Sequence, residues 1–273
     1  KNYKANGIQK LTRDNALFLS VSAQFNVGIA EGILNFLSDE LQIISPSQED
    51  ICLIYTIDCL INDDNKSDII QLIKKLDLGI GDIQVEQKDS IVDTLPKNLP
   101  DSMKQIVRDL KKAEAASIDT IHYKFDKDGN YKSIEKFNLK ANESEGTQKL
   151  FALSGLLVNT LKEGDILVID EFNSSLHLFI TTAIIELFNS KEANPNNAQL
   201  IFMTHDTNLL TNKLFRRDQI WFTEKNRYGA TDLYSLAEYK IRNDASFESD
   251  YIKGKYGAIP YIGDLTHLVN SDG

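Results

Sequence analysis

The chain has 273 residues, 42% of them apolar and 26% charged, enough to bury a core without disulfides or a structural metal. Thirty Lys and Arg against 40 Asp and Glu leave a net charge of −10, which disfavours a broad grip on nucleic acid while leaving room for a local basic patch. Its 14 Gly, 5 Pro and 2 Cys exclude collagen-like, disordered and disulfide-scaffold classes.

Residues 14–41 read as a long helix or two, with Leu17, Phe18, Val21, Phe25, Ile29, Ile33, Leu37 and Leu41 at helical spacing. Ser45-Pro46-Ser47 breaks the chain, and a second apolar helix is predicted over 48–62. A polar turn at 62–66 leads into a short helix marked by Ile69, Ile70, Ile73 and Leu76. Residues 83–101 read as strand then loop, and 101–115 as a charged amphipathic helix. A hairpin is predicted over 121–134, turning at Asp126-Lys127-Asp128-Gly129-Asn130, where Gly supplies an easy positive φ. That turn carries only part of a calcium-loop pattern.

After residue 140 apolar strands alternate with helices. A buried helix is predicted over 147–161, then strands at 165–170, 199–204 and 219–223, with a helix at 178–188 between the first two. The alternation predicts an α/β sheet with helices on both faces. Cys52 and Cys59 are two turns apart on one predicted helix, too far for a disulfide, and read as buried thiols of a reducing compartment. With no apolar run of membrane length and no visible signal peptide, a cytoplasmic protein with no membrane partner is expected.

The strand Ile166-Leu167-Val168-Ile169 ends in Asp170-Glu171. Ligands of parallel α/β sheets gather at the carboxyl ends of strands, where one acid can hold Mg²⁺ and a second can orient and deprotonate a water. The next strand ends in His205-Asp206, and upstream Ser144-Glu145-Gly146-Thr147 opens the predicted helix, whose free N–H groups suit a phosphate. Each feature also has a plain structural reading: solvent-facing acids, a hydrogen-bonded His, an ordinary Ser cap.

In this order the three motifs resemble the ABC-type ATPases of the SMC and Rad-fifty kind, and more closely the AAA-fifteen/AAA-twenty-one, overcoming-lysogenisation-like group of bacterial phage-defence ATPases. Ser144-Glu145-Gly146-Thr147 stands where the signature Ser-Gly-Gly-Gln stands, Asp170 at the Walker B aspartate, Glu171 at the catalytic glutamate, Asn173-Ser174-Ser175-Leu176-His177 at the D-loop, and His205 at the switch histidine. The tail Lys255-Tyr256-Gly257-Ala258-Ile259-Pro260 is also similar to this group. Two departures stand out: Glu145 replaces a signature Gly, and no Gly-x-x-x-x-Gly-Lys-Ser/Thr phosphate loop occurs in the 273 residues. The chain is therefore expected to be the C-terminal part of a longer ATPase, inactive alone.

The resemblance implies the C-terminal lobe of a P-loop ATPase, an α/β fold with a parallel sheet flanked by helices and a mainly helical insertion. It divides the chain into a helical segment of the lobe (1–45), the insertion (46–115), a β-hairpin (116–139) and the signature-bearing lobe (140–273). It implies ATP and Mg²⁺ as ligands and a homodimer that sandwiches ATP. Asp170 would hold the metal, Glu171 polarise water and His205 meet the γ-phosphate. Ser144, Gly146 and Thr147 would act in trans, and Ser175 and His177 would couple the sites. An effector such as a nuclease, within an abortive-infection system, is the expected partner. Lys74-Lys75, Lys111-Lys112 and Arg216-Arg217 are candidate DNA contacts or simply solvated cations. The alternative is a truncated or split module that dimerises or binds an effector without hydrolysing ATP. A metal nuclease of the topoisomerase-primase style needs a Glu on one strand and Asp-x-Asp on another, which Asp170-Glu171 does not supply.

Overall fold

The computed structural model describes residues 5–76, 79–87, 111, 115–242 and 245–260. The loop expected after the strand at 83–87 and most of the helix expected over 101–115 lie outside them. The chain divides into two units, residues 1–204 and 205–273.

The first unit opens with α1 (Ala5–Gln9), α2 (Phe18–Gln24) and α3 (Gly28–Asn35). Of the long helix or two expected over 14–41, the chain forms two, parted at Asn26, which takes the left-handed backbone (φ 55°) that Asn tolerates better than most residues. The second ends earlier than expected. After a π-turn over Phe36–Glu40 the chain becomes strand β1 (Leu41–Ile44), because its backbone pairs in parallel with a later strand. Leu41 fits the helical spacing, but tertiary pairing overrides it. Leu17, Phe25 and Ile29, which carried the helical pattern, are exposed.

A reciprocal Ser45–Gln48 capping box and the acids Glu49 and Asp50 launch α4 (Glu49–Ile61), and α5 (Lys66–Lys75) follows. Then come β2 (Ile80–Gln87), β3 (Ala116–Phe125) and β4 (Tyr131–Asn138), an antiparallel sheet in that order. The β3–β4 hairpin turns where the sequence predicts. Asp126 accepts the backbone N–H of Asn130 at 2.8 Å and its side-chain amide at 3.2 Å, which hold the carboxyl below the usual range, and the N–H of Asp128 at 2.9 Å adds to this.

The short helix α6 (Leu139–Asn142) leads into α7 (Glu145–Glu163), then β5 (Ile166–Ile169), α8 (Leu178–Asn189) and β6 (Gln199–Phe202). Helix α7 is buried on most sides, as its apolar sequence predicts. It lies against α4 so closely that Gly155 touches Thr56, whose hydroxyl donates to Ala152 O at 2.7 Å and accepts from Gly155 N–H at 3.1 Å. Ile57, Leu60, Ile69, Ile73, Ile83, Ile118 and Phe151 form one core that joins α4, α5 and α7 to the antiparallel sheet. The second sheet is parallel, in the order β1-β5-β6, so β5 is central. Leu167 and Ile169 are buried, while Ile43 and Ile201, in one row with Val168, are exposed. The fold is the expected α/β type with a parallel sheet flanked by helices.

The second unit corrects one expectation. The strand at 219–223 does not extend the parallel sheet. As β7 (Trp221–Lys225) it pairs antiparallel with β8 (Thr231–Ser235), because the turn at Asn226–Gly229 reverses the chain at once. Ile220, Phe222, Leu236, Phe247 of α9 (Phe247–Ile252) and Tyr256 form the unit's own core. Tyr256 O accepts the hydroxyls of Tyr234 and Tyr239, and Gly257, at φ 71°, leaves no space for a side chain beside Tyr234. Among the described residues, no helix is long and apolar enough to cross a membrane.

Candidate functional site

The carboxyl end of the central strand is where the acids sit. Asp170 continues the ladder one step past β5 by donating its N–H to Ile44 O at 2.9 Å. Its carboxylate is half-buried and accepts the N–H of Glu171 at 3.0 Å. Glu171 then takes a left-handed backbone, φ 49°, unusual for a residue with a side chain, and is exposed. Phe172 anchors the turn. It is fully buried against Phe202, with ring centroids 5.3 Å apart, and donates its N–H to Met203 O.

The loop that follows is closed on itself. Ser174 N–H donates to Glu171 O at 3.0 Å and Leu176 N–H to Asn173 O at 3.1 Å, while the Asn173 side chain accepts the Thr204 hydroxyl at 2.6 Å. Ser175 is a second left-handed residue, φ 60°. His177 caps α8: its Nδ1 accepts the N–H of Phe179 at 3.2 Å, so in the neutral ring the proton resides on Nε2. Ser175 and His177 are both exposed at the surface of the loop.

Ser144 caps α7 by accepting the N–H of Thr147 at 3.1 Å, and the two hydroxyls lie 2.9 Å apart. The Thr147 N–H, expected to face a phosphate, is thereby occupied within the chain, and its side chain is buried. The Glu143 carboxylate, just before the cap, meets His122 Nε2 at 2.7 Å and the Thr120 hydroxyl. Gly146 explains itself by space: a Cβ there would collide with the Ser175 carbonyl oxygen. The helix opening and the loop after the acids therefore touch within one chain. Asp170, Glu171, Ser175 and Gly146 belong to one continuous region of the first unit. His205 is exposed and opens the second unit directly after Thr204.

Sequence reasoning missed Lys149. It is 6% exposed, on the first turns of α7, and its ammonium donates to Glu171 O at 3.0 Å and to the Ser174 hydroxyl, with Glu49 of α4 at 3.4 Å. The signal was a lone cation ahead of a long apolar run: a buried lysine needs partners, and here the loop after Glu171 and the Glu49 carboxylate of α4 provide them.

Among the described residues no group of three or more His, Cys, Asp or Glu is placed to hold a metal. The single Asp170 carboxylate fits a different kind of site. Mg²⁺ is commonly held by one or two carboxylates together with substrate phosphates and waters rather than by a protein cage. Of the basic pairs, Arg216 is bound to Asp218 at 2.9 Å and Arg217 donates to Tyr239 O, so both are engaged within the chain. Lys74 and Lys75 close α5, and Lys112 lies outside the described residues.

A family profile described as an AAA domain, putative AbiEii toxin, type IV toxin–antitoxin system, matches residues 38–211, more than half of the chain. The matched span runs from the π-turn before β1, through α7, β5 and its acids, to beyond His205. No curated protein matches the sequence.

Proposed function

The chain belongs to this AAA family of ATPases, and on that premise we propose that it forms part of an ATP-hydrolysing, ABC-type ATPase acting in bacterial phage defence by abortive infection. The observation that carries the reading is the pair Asp170-Glu171 at the carboxyl end of the central parallel strand, with Glu171 fixed in a left-handed backbone beside the opening of α7. Strained backbone at such a point is characteristic of functional sites.

In this reading Asp170 would hold Mg²⁺, which would supply positive charge to offset that developing on the phosphates. Glu171, exposed at the turn, orients the attacking water and accepts its proton. Ser144 and Gly146 at the start of α7 meet the nucleotide held by a second copy, since a helix start favours anions. His205 enters only through its place in the chain after β6. The glycine-rich phosphate loop is taken to lie upstream of these 273 residues. Catalysis is then positioning and charge stabilisation, with ATP favouring a closed homodimer and hydrolysis releasing it. The family description supports a toxin-like role, and an effector such as a nuclease is the partner this reading calls for. A second reading, an interaction module without ATPase activity of its own, is favoured by the absence of a phosphate-loop motif from the sequence as it stands.

ATP turnover by the product of the whole gene separates the two. The ATPase reading expects hydrolysis that Glu171→Gln lowers by about a hundredfold or more, with ATP still bound. A gene product that binds no ATP leaves only the interaction module.

A further inference from the structure

We propose that Lys149 is a positioning residue that ties Glu171 to the start of α7, so that the acid and the signature move as one piece. This rests on the reading of Glu171 as the group that activates water. The ammonium is buried and reaches the far side of a turn that carries two left-handed residues, Glu171 and Ser175. It donates to the Glu171 carbonyl and to the Ser174 hydroxyl. The Glu171 carbonyl also receives the Ser174 N–H at 3.0 Å, so both of its lone pairs are used. One turn earlier on the same helix, Gly146 lies against the Ser175 carbonyl with no space for a side chain.

The helix thus grips the loop at two points: by contact at Gly146 and by a charge-assisted hydrogen bond at Lys149. A left-handed Glu is unfavourable by itself and persists when its surroundings hold it. Lys149 binds the carbonyl of that very residue, so losing it frees the Glu171 backbone without touching the carboxylate. A nucleotide that seats the opening of α7 would, through this link, settle the position of the acid in the same subunit. Lys162 on the same helix serves as a contrast: it pairs with Asp68 and Asn65 of the α5 region, not with the loop.

Two measurements test this, one independent of ATP. In the 273-residue chain, Lys149→Met is expected to speed amide exchange at Ser174 and Leu176 by about tenfold or more, with the β5 amides and Lys162→Met unchanged. In the whole gene product the same variant is expected to lower kcat by about tenfold or more while KM for ATP moves by less than about threefold, the split expected of a misplaced catalytic group. Unchanged exchange at Ser174 and Leu176, or a kcat within about twofold of the parent, overturns the proposal. If Lys149→Met raises exchange throughout β5, Ser174→Ala decides, since it deletes one hydroxyl: exchange at Leu176 must rise, and its failure to do so overturns the link. Faster exchange in the loop of a protein whose parent hydrolyses no ATP supports the link and removes the ATPase reading instead.

Discussion

Cys52 occupies the face of α4 that packs inward and is fully buried. Burial pushes its thiol up to about 11, against the smaller opposing pull of its own backbone hydrogen bond and of Lys149. The neighbouring thiol Cys59, also buried, is raised as well, chiefly by burial. Raised values mean that the folded chain keeps protons the unfolded chain has already released. The stabilisation is complete below the ordinary thiol value and is lost as pH rises towards 11. For Cys52 the difference between folded and unfolded chain is worth about 2–3 kcal/mol. Urea midpoints measured from about pH 8 to about pH 10.5 are expected to fall, and Cys52→Ala is expected to flatten the slope while lowering the plateau. An equal slope in the variant would assign the alkaline loss to other groups. At about pH 8 the native chain is also expected to resist iodoacetamide at both positions until denaturant is added.

Helices α4 and α7 meet at a point where only glycine fits. A Cβ on Gly155 would stand 2.6 Å from the Thr56 hydroxyl and 2.9 Å from Thr56 Cα. A Gly→Ala change inside a helix ordinarily gains about 1 kcal/mol in propensity. Here the backbone of α4 must move, and overpacking of this kind costs about 1–3 kcal/mol. Gly155→Ala is therefore expected to lower stability, read as a drop in the urea midpoint without change of slope. A stabilised variant would show that α4 can retreat. Much at this scale was legible in the sequence. The apolar run before Asp170, the amphipathic spacing of α5 and the Asp-x-Asp-Gly-Asn turn each follow from local chemistry. What the sequence hid depended on distant partners. Leu41 suits a helix by spacing and became strand because β5 offered a ladder. The 219–223 run has the same apolar character as β5, and periodicity does not distinguish a parallel neighbour from the hairpin partner β8. Lys149 reads as an ordinary charged residue at a helix start until the loop after Glu171 is folded against it.

For the whole molecule the proposed reading makes each site composite: the acids come from one copy and the opening of α7 from its partner. Two-fold symmetry then permits a test that single variants do not. Ser144 is exposed, and replacing it with arginine loses one helix cap, about 1 kcal/mol, while blocking a phosphate face. In the whole gene product, Ser144→Arg and Glu171→Gln are each expected to be inactive as homodimers. Mixed, they pair at random. In the heterodimer one site carries both defects, while the other combines an intact Glu171 with an intact signature. Since half the dimers are mixed and each has one good site of two, activity is expected to return to about a quarter of the parent value when sites work independently. Steady-state ATP turnover against mixing ratio, with a maximum near equal amounts, is the measurement. A signature that served its own subunit would leave every mixture inactive, because no chain in it carries both intact groups. That result would move Ser144 and Gly146 from the nucleotide of the partner to a purely local role, capping α7 and packing against Ser175.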